Sequence, residues 1–463
     1  MHYLSITDLA RSYRAGERSP VEVTTAILDR IEQLDPELEC YAEVMGARAM
    51  TAARLAEDEI AAGRHRGPLH GVPVAVKDLC DVAGLRTMAG AAVLRDNVAS
   101  DDSTVARRLE DAGAILVGKL NLTEGAMAGY NPGCGVPVNP WDTGRWAGVS
   151  SSGSGAATAA GLCFGSLGSD TGGSIRFPAA ANGVVGLKPT YGRVSRAGVF
   201  PLAETFDHVG PLTRTSADAA AVLQTIAGYD PADPTSLDAP VGDLLATVGA
   251  GVRGVRIGLD EAWATAGVEP ATADAVHDAV VLLERAGAVI VPIEVPRIDD
   301  GLWFTMVACE AACAHADYFP ARAAEYGGFL AAFLAQGRAI AGTEYAAAQI
   351  ERNAFAGRLR QVFEDVDVIA SPVMSGAAFP APREALRGTF EDVMGVAPDI
   401  TLRFTAPYDF SGSPTITIPS GFDADGMPLA AQFAGRHLDE ALLCRIGHAL
   451  EQLTDWHTRH PIP

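Results

Sequence analysis

The sequence predicts an α/β protein in which helices cover both faces of a mixed, largely parallel sheet. The stretch "DSTVARRLEDAGAILVGKLN" (102–121) has the pattern of a helix, a tight turn and a strand, and "ADAVHDAVVLLERAGAVIVPIEVP" (273–296) repeats that order. The stretch "GVPVAVKDL" (71–79) alternates valines with other residues, as a strand does. Helices that alternate with strands are typical of parallel sheets covered by helices.

Two helices are predicted before the first strand. Ser19 can cap the first helix, Glu22 would complete a capping box, and Pro36 marks the predicted end. The second helix is predicted over 46–63. We therefore expect an N-terminal helical segment of about residues 1–65 that packs on the α/β core.

The strand within 71–79 carries one basic residue, Lys77. Its valines face one side of the sheet, and Lys77 shares the other side with proline and alanine. A further helix is predicted from about Ser103, followed by a strand at 115–118. Residues 125–155 then break the alternation because they are rich in Gly, Pro and Ser. A long irregular loop inside a domain is more often functional than a linker.

Composition limits the classes of function. The 463 residues contain 35 Lys and Arg against 57 Asp and Glu, a formal charge of −22, which disfavours nucleic acid and anionic membranes as partners. The N-terminus lacks an apolar leader, and no run of about 18 apolar residues occurs, so a cytoplasmic protein is expected. We find no linker or repeat, and we expect one domain over 1–463.

Seven cysteines are scattered along the chain, and only Cys309 and Cys313 stand at helical spacing. No matching His or Cys pair completes a zinc site, so we predict neither a metal nor a disulfide framework.

The stretch "GSDTGGSIRFPAA" (168–180) is either a phosphate-binding loop or a nucleophile loop. The order GxxxxGK[ST] is absent, and Arg176 rather than a lysine follows the glycines, which argues against phosphate binding. Ser174 follows Gly172 and Gly173, whose backbone N–H groups can approach a developing oxyanion closely. A serine-rich turn, "GVSSSGSGAA" (148–157), precedes this loop.

A serine nucleophile needs a base, and no histidine lies near Ser174 in the sequence. Ser–Lys pairs are an alternative to Ser–His pairs, and Lys77 is the candidate. A lysine acts as a base only when it is neutral, so burial must lower its pKa.

These residues resemble the amidase signature family. The segment 148–179, "GVSSSGSGAATAAGLCFGSLGSDTGGSIRFPA", matches the family signature, and "GVPVAVKDL" resembles its catalytic-lysine strand. The segments 184–215 and 404–436 resemble its downstream blocks, so the likeness covers nearly the whole chain. The amidase-signature fold is the fold that this resemblance implies.

The resemblance also implies roles for individual residues. Ser174 would be the nucleophile that accepts the acyl group, Ser150 a bridging serine preceded by a cis peptide bond, and Lys77 the general base. Ser151 would add a hydrogen bond in the same cluster. The oxyanion hole would consist of backbone N–H groups of Thr171, Gly172, Gly173 and Ser174.

Other residues around the loop receive supporting roles. We interpret Asp170 and Arg176 as braces of the loop and His208 as structural. The segment "MAGY" and the residue after Arg176 are expected to line an apolar or aromatic substrate pocket. That pocket would consist of Met127, Gly129, Tyr130 and Phe177. No cofactor is required by this chemistry.

The predicted activity is hydrolysis of small amides, anilides or aryl carbamates through an acyl-enzyme, by a monomer or a homodimer. The first alternative is the A subunit of a glutamine-dependent tRNA amidotransferase. Arg403 stands where that subunit carries an acidic residue, and a cation there would repel the ammonium group of glutamine. The stretch "PYDFSG" (407–412) also differs from that subunit's more usual "PxNLAG". The second alternative is a non-catalytic scaffold on the same fold.

Overall fold

The computed structural model describes residues 1–396 and 401–461. Eleven strands within these residues form one sheet, in the spatial order β1-β3-β2-β4-β6-β5-β10-β11-β9-β7-β8. The strands are β1 (Tyr41–Val44), β2 (Pro73–Lys77), β3 (Ile115–Leu120), β4 (Gly165–Asp170), β5 (Val185–Lys188), β6 (His208–Thr213), β7 (Arg256–Leu259), β8 (Val289–Pro292), β9 (Val368–Pro372), β10 (Thr415–Phe422) and β11 (Pro428–Gly435).

The mixed α/β sheet is confirmed, but it is less parallel than expected. Parallel pairing joins β2 to β3 and β4 on one flank, and β7 to β8 and β9 on the other. The six other pairings are antiparallel, including all those of β5, β6, β10 and β11. The helix–turn–strand pattern occurs only in the two flanks, whereas β10 and β11 follow one another as a hairpin, which is antiparallel by geometry.

Helices pack around this sheet. The α-helices are α1 (Ile6–Ala15), α2 (Pro20–Leu38), α3 (Gly46–Ala61), α4 (Thr104–Asp111), α5 (Ser152–Ala159), α6 (Arg176–Asn182), α7 (Ser216–Ile226), α8 (Leu244–Thr247), α9 (Glu261–Thr265), α10 (Pro270–Arg285), α11 (Asp300–Ala314), α12 (Gly328–Ala339), α13 (Gly342–Asp365), α14 (Arg383–Leu386), α15 (Phe390–Val396), α16 (Ala406–Phe410) and α17 (Glu440–Leu453). Short 3₁₀ turns lie at Ala92–Leu94, Glu124–Ala126, Ala323–Glu325 and Trp456–Thr458.

The predicted N-terminal helices are present with two differences. Ser19 caps α2 by accepting a hydrogen bond from the Glu22 N–H, as the sequence indicates. Pro36 lies inside α2 rather than after it, and the helix ends at Leu38, where Glu39 takes a left-handed conformation. The segment 1–65 is also not purely helical, because β1 pairs with β3 and extends the sheet.

The strand that carries Lys77 lies inside the sheet. All five residues of β2 are buried, and because alternate side chains of a strand face opposite sides, both faces of the sheet are covered here. Strands β2 and β4 are parallel neighbours, so their carboxyl ends lie at the same edge. The residues that follow these two ends are therefore close in space. The strand predicted at 115–118 is present as β3, which follows α4.

Within residues 1–396 and 401–461, no helix has both the length and the apolar character needed to cross a membrane.

Candidate active site

The loop that carries Ser174 leaves the carboxyl end of β4 and enters α6. Lys77 is the last residue of β2, the parallel neighbour of β4, and the second serine-rich turn leads into α5. The Ser151 N–H donates to the Ser174 carbonyl at 3.3 Å, which ties the two serine loops together. Ligand sites in α/β sheets lie outside the carboxyl ends of the strands, as these residues do.

The Lys77 amine is surrounded by hydroxyl groups. Its Nζ lies 2.6 Å from Ser150 Oγ, 2.9 Å from Ser151 Oγ and 2.9 Å from Ser169 Oγ. The Ser151 hydroxyl also donates to the Ser169 carbonyl, so it accepts from Lys77. A neutral amine donates two hydrogen bonds and accepts one. If Ser151 and Ser169 accept, the Ser150 hydroxyl is the group that can direct its proton at Nζ.

Burial lowers the pKa of Lys77 to about 7, against a smaller opposing effect of Cys80, Asp170 and Asp207. The side chain has no exposed surface, and the charged form of an amine is the form that burial disfavours. Near neutral pH, a substantial fraction of Lys77 is therefore uncharged. This is the state that a general base requires.

Ser174 is the most exposed residue of this group. It is 8% exposed, whereas Ser150 and Lys77 are 0% exposed. Within the described residues, the Ser174 hydroxyl forms no hydrogen bond. The peptide bond between Val149 and Ser150 is cis, as the family resemblance implies.

The backbone of the Ser174 loop is shaped by its glycines. A Cβ on Gly172 would lie 2.6 Å from the Trp303 ring, and Gly173, at φ 131°, would carry a Cβ 2.4 Å from the Phe177 ring. The Gly173 N–H donates to Asp170 Oδ1 at 2.7 Å, so this expected oxyanion donor is already engaged. Among the described hydrogen bonds, none uses the N–H groups of Thr171, Gly172 and Ser174, and these three are the available donors.

A buried ion-pair network supports the loop from below. The Asp170 carboxylate accepts from the Arg176 guanidinium and from the N–H groups of Gly173 and Ile175. Arg176 is 0% exposed and also donates to Asp409 at 2.6 Å. Asp170 and Arg176 therefore occupy bracing positions, and the acidic residue of "PYDFSG" is the second partner of Arg176.

The two carboxylates of this network differ. Burial alone would raise the pKa of Asp170, but the charge of Arg176 and its hydrogen bonds hold it well below its usual range. Burial, together with the neighbouring charge of Asp170, raises the pKa of Asp409 to about 8, against the opposing effects of Arg176 and Lys188. Asp170 is therefore the carboxylate that stays ionised beneath the loop.

Side chains from distant elements fix the rest of the loop. The Thr171 hydroxyl donates to Asp207 at 2.5 Å, and the Trp303 indole N–H donates to the Thr171 carbonyl at 2.8 Å. The Thr405 hydroxyl donates to the Gly172 carbonyl at 2.6 Å. His208 is buried, and its Nδ1 lies 3.1 Å from the Asp170 carbonyl, which fits the structural role expected of it.

A cavity of about 290 Å³ opens above Ser174. The four residues expected in the pocket all line it: Met127, Gly129, Tyr130 and Phe177. The Tyr130 hydroxyl donates to Ser152 at 2.8 Å, so the ring is held in place. Several further apolar side chains complete the wall, namely Trp146, Leu202, Trp303, Phe304, Phe329, Leu386, Val393, Met394 and Leu402.

The expectation for Arg403 is wrong in its location. Its guanidinium donates to the carbonyls of Trp263 and Ala266 and lies over the Phe404 ring, and it does not line the cavity. Arg403 is therefore not a wall residue of the cavity, but its charge still acts on Asp300, which does line the cavity. The charge argument against glutamine as a substrate can rest only on this longer-range effect.

Sequence reasoning missed several of these contacts. Ser169 lies in the quoted loop stretch, five residues before Ser174, and its place near the end of β4 could have suggested it. Asp207 is the neighbour of His208 in "FDHVGP". Trp303 is 132 residues away in sequence from its hydrogen-bond partner Thr171, and no local sequence pattern predicts such a contact.

The chain is similar to known proteins over nearly its whole length. A family model described as Amidase matches residues 22–444. AmiD of Mycobacterium tuberculosis, whose name assigns it to the amidases, is 47% identical over 463 residues, which cover 99% of this chain and 96% of AmiD. The A subunit of the glutamyl-tRNA(Gln) amidotransferase of Thermosynechococcus vestitus is 38% identical over 484 residues, which cover 98% of this chain and 99% of that protein. The solved structure of native peptide amidase from Stenotrophomonas maltophilia aligns with a TM-score of 0.83 and 32% identity, over 97% of this chain and 96% of that chain.

The Lys77 environment predicts a pH dependence. Because the neutral amine is the active form and burial lowers its pKa to about 7, kcat/KM for an uncharged amide should rise as the pH increases through 7 and then level off. The measurement is kcat/KM against pH for an uncharged substrate. Lys77→Met should lower kcat by roughly a hundredfold to ten-thousandfold and remove the rise. A wild-type profile that is flat through pH 7 would contradict this assignment.

The Gly172 contact predicts a second effect. Gly172→Ala forces the loop away from Trp303, because the new methyl would lie 2.6 Å from the ring. Displacing an oxyanion donor should lower kcat by about a hundredfold. Gly249→Ala is the matched control, since its methyl meets no atom within 4 Å. Equal kcat values for the two variants would show that the loop tolerates the displacement.

Proposed function

The chain belongs to the amidase family and is a hydrolase of carbon–nitrogen bonds, and we propose that it cleaves small amides and anilides through an acyl-enzyme on Ser174. The observation that carries the proposal is the buried amine of Lys77, held 2.6 Å from Ser150 beneath a serine that alone faces the cavity. Aryl carbamates offer the same carbonyl and an amine leaving group, so they are further candidate substrates.

In the proposed first step, Ser174 Oγ attacks the substrate carbonyl carbon. The Ser174 proton passes to Ser150 Oγ, and the Ser150 proton passes to Nζ of neutral Lys77, which becomes an ammonium. The hydrogen bond between Ser174 and Ser150 is not formed in the structure, and catalytic hydrogen bonds often close only when substrate binds. The negative charge that develops on the carbonyl oxygen is stabilised by the N–H groups of Thr171, Gly172 and Ser174.

The tetrahedral intermediate then collapses. The carbon–nitrogen bond breaks, and the departing amine receives the proton that returns from Lys77 through Ser150. The acyl group remains as an ester on Ser174. Water next attacks the carbonyl carbon of this ester while its proton passes through Ser150 to Lys77. The bond between the acyl carbon and Ser174 Oγ then breaks, Oγ regains its hydrogen as the proton returns from Lys77 through Ser150, and the carboxylic acid is released. No step requires a cofactor.

The cavity supports small substrates with an apolar or aromatic body. Its volume of about 290 Å³ and its wall of aromatic and aliphatic side chains fit an aryl amide or a short alkyl amide. AmiD, named as an amidase, is 47% identical, whereas the A subunit of the amidotransferase is 38% identical. We therefore favour independent hydrolysis over a role within an amidotransferase.

The deciding experiment measures amine release by the purified chain alone. The substrates are glutamine, a short aliphatic amide, an anilide and an aryl carbamate, and Ser174→Ala is the blank. We expect ammonia or arylamine above the blank from the amide and the anilide. Ammonia from glutamine only, or no product without added partners, would favour the amidotransferase alternative.

A serine-reactive fluorophosphonate separates the enzyme from a non-catalytic scaffold. We expect wild-type protein to gain the mass of one adduct at Ser174, as followed by intact-mass spectrometry, and Ser174→Ala to gain none. Lys77→Met should react far more slowly, because it lacks the base that activates Ser174. Labelling that is equal in wild type and Ser174→Ala would place the reactive group elsewhere.

The pocket predicts a change in specificity. Phe177→Ala removes an aromatic wall of the cavity, so kcat/KM should fall for the anilide more than for the short aliphatic amide, by roughly tenfold or more. Phe422→Ala is the control, because Phe422 packs on Trp141 outside the cavity. Equal losses for both substrates would show that Phe177 only supports the loop.

A further inference from the structure

The cavity above Ser174 has one formally charged side chain in its described wall, that of Asp300. The other lining residues are aromatic, aliphatic, or small and uncharged. A single carboxylate in an apolar site is expensive to leave without a partner, and it selects the ligand that supplies one.

Asp300 stands close to the reacting centre. It lies in the first turn of α11, and Trp303 and Phe304 follow it at the spacing of one helical turn. Trp303 packs directly on Gly172 of the nucleophile loop, and all three side chains line the cavity. Asp300 is therefore about one turn of helix, roughly 5 Å along the axis, from the side chain that touches the oxyanion loop.

The Asp300 carboxylate neither caps a helix nor pairs with a charged group in the described structure. The N-cap of α11 is Asp299, whose carboxylate accepts from the Gly301 N–H at 2.8 Å. Among residues 1–396 and 401–461, the Asp300 carboxylate has no hydrogen-bond or ion-pair partner. It is partly buried, and burial raises its pKa, with a further rise from Asp299 and an opposing effect of Arg403. Arg403 cannot neutralise it by contact, because its guanidinium is bound to the carbonyls of Trp263 and Ala266.

We propose that Asp300 binds a protonated amine of the substrate, so that the preferred substrates are amides with an apolar or aromatic body that carries a cationic group. This inference rests on the proposed function, because the bound amine belongs to a substrate only if Ser174 carries out the hydrolysis. The ammonium donates hydrogen bonds to the carboxylate, and the neighbouring rings of Trp303 and Phe304 can add a cation–π contribution. An anionic group at the same position is repelled.

The test uses three amides of nearly equal shape: 4-(aminomethyl)benzamide, 4-methylbenzamide and 4-carboxybenzamide. Their Kd values are measured by calorimetry with Ser174→Ala, which keeps the ligands intact. We expect the cationic amide to bind roughly tenfold more tightly than the neutral one, and the anionic amide to bind most weakly. Asp300→Asn in the same background should abolish this order. Asp299→Asn is the matched control, because asparagine can still cap α11 and Asp300 remains in place.

The result overturns the inference if the cation gains no preference in the parent, whether all three amides bind equally or none binds. The inference is also overturned if Asp300→Asn still binds the cationic amide more tightly than the neutral amide.

Turnover separates this inference from the proposed function. With Ser174 intact, the ratio of kcat/KM for the cationic and neutral amides should fall roughly tenfold in Asp300→Asn. Hydrolysis with an unchanged ratio would refute the role of Asp300 and leave the hydrolase in place. Binding that depends on Asp300 without any hydrolysis would refute the proposed activity and keep the cation site.

Discussion

The Lys77 amine lies inside the sheet, where an ammonium ion is poorly solvated, and this burial governs the arrangement around it. Only hydroxyl groups face the amine at hydrogen-bonding distance, so either charge state finds partners without a fixed counter-ion. A carboxylate in their place would hold the lysine as a cation. The serine-rich turn before α5 and the end of β4 supply these hydroxyls, and they can do so because β2 and β4 are parallel neighbours.

The two sides of Ser174 have opposite character. Beneath the loop, Asp170, Arg176 and Asp409 form a buried charged network that fixes backbone N–H groups and carbonyls. Above it, the part of the cavity wall that the structure describes is mainly aromatic and aliphatic, and Asp300 is its one carboxylate. Fixed dipoles on one side and a poorly hydrated space on the other give the conditions in which an oxyanion is stabilised strongly.

Sequence reasoning reached the residues around Ser174 because they occupy two short, glycine- and serine-rich stretches and one strand. The mixed sheet also followed from local helix–strand order in its two flanks. The antiparallel centre did not, because β5 pairs with β10 across more than two hundred residues and no local periodicity encodes that partner. The same limit explains Trp303, Thr405 and Asp300, which reach the site only through the tertiary fold. Arg403 shows the converse error, since its position was inferred from a pattern but its guanidinium turns to the carbonyls of Trp263 and Ala266.

The reacting groups and the outer cavity wall come from different parts of the chain. Lys77, Ser150 and Ser174 lie in the first 174 residues, whereas the outer wall that the structure describes comes from later residues, namely Asp300, Phe304, Phe329, Leu386, Val393, Met394, Thr401 and Leu402. From the later part, Trp303 and Thr405 hold the backbone of the nucleophile loop, and Asp409 pairs with Arg176 beneath it. Substitutions in the later part can therefore diversify the range of accepted molecules while the chemistry is inherited unchanged. In a lineage of such proteins, substrate preference would drift faster than mechanism.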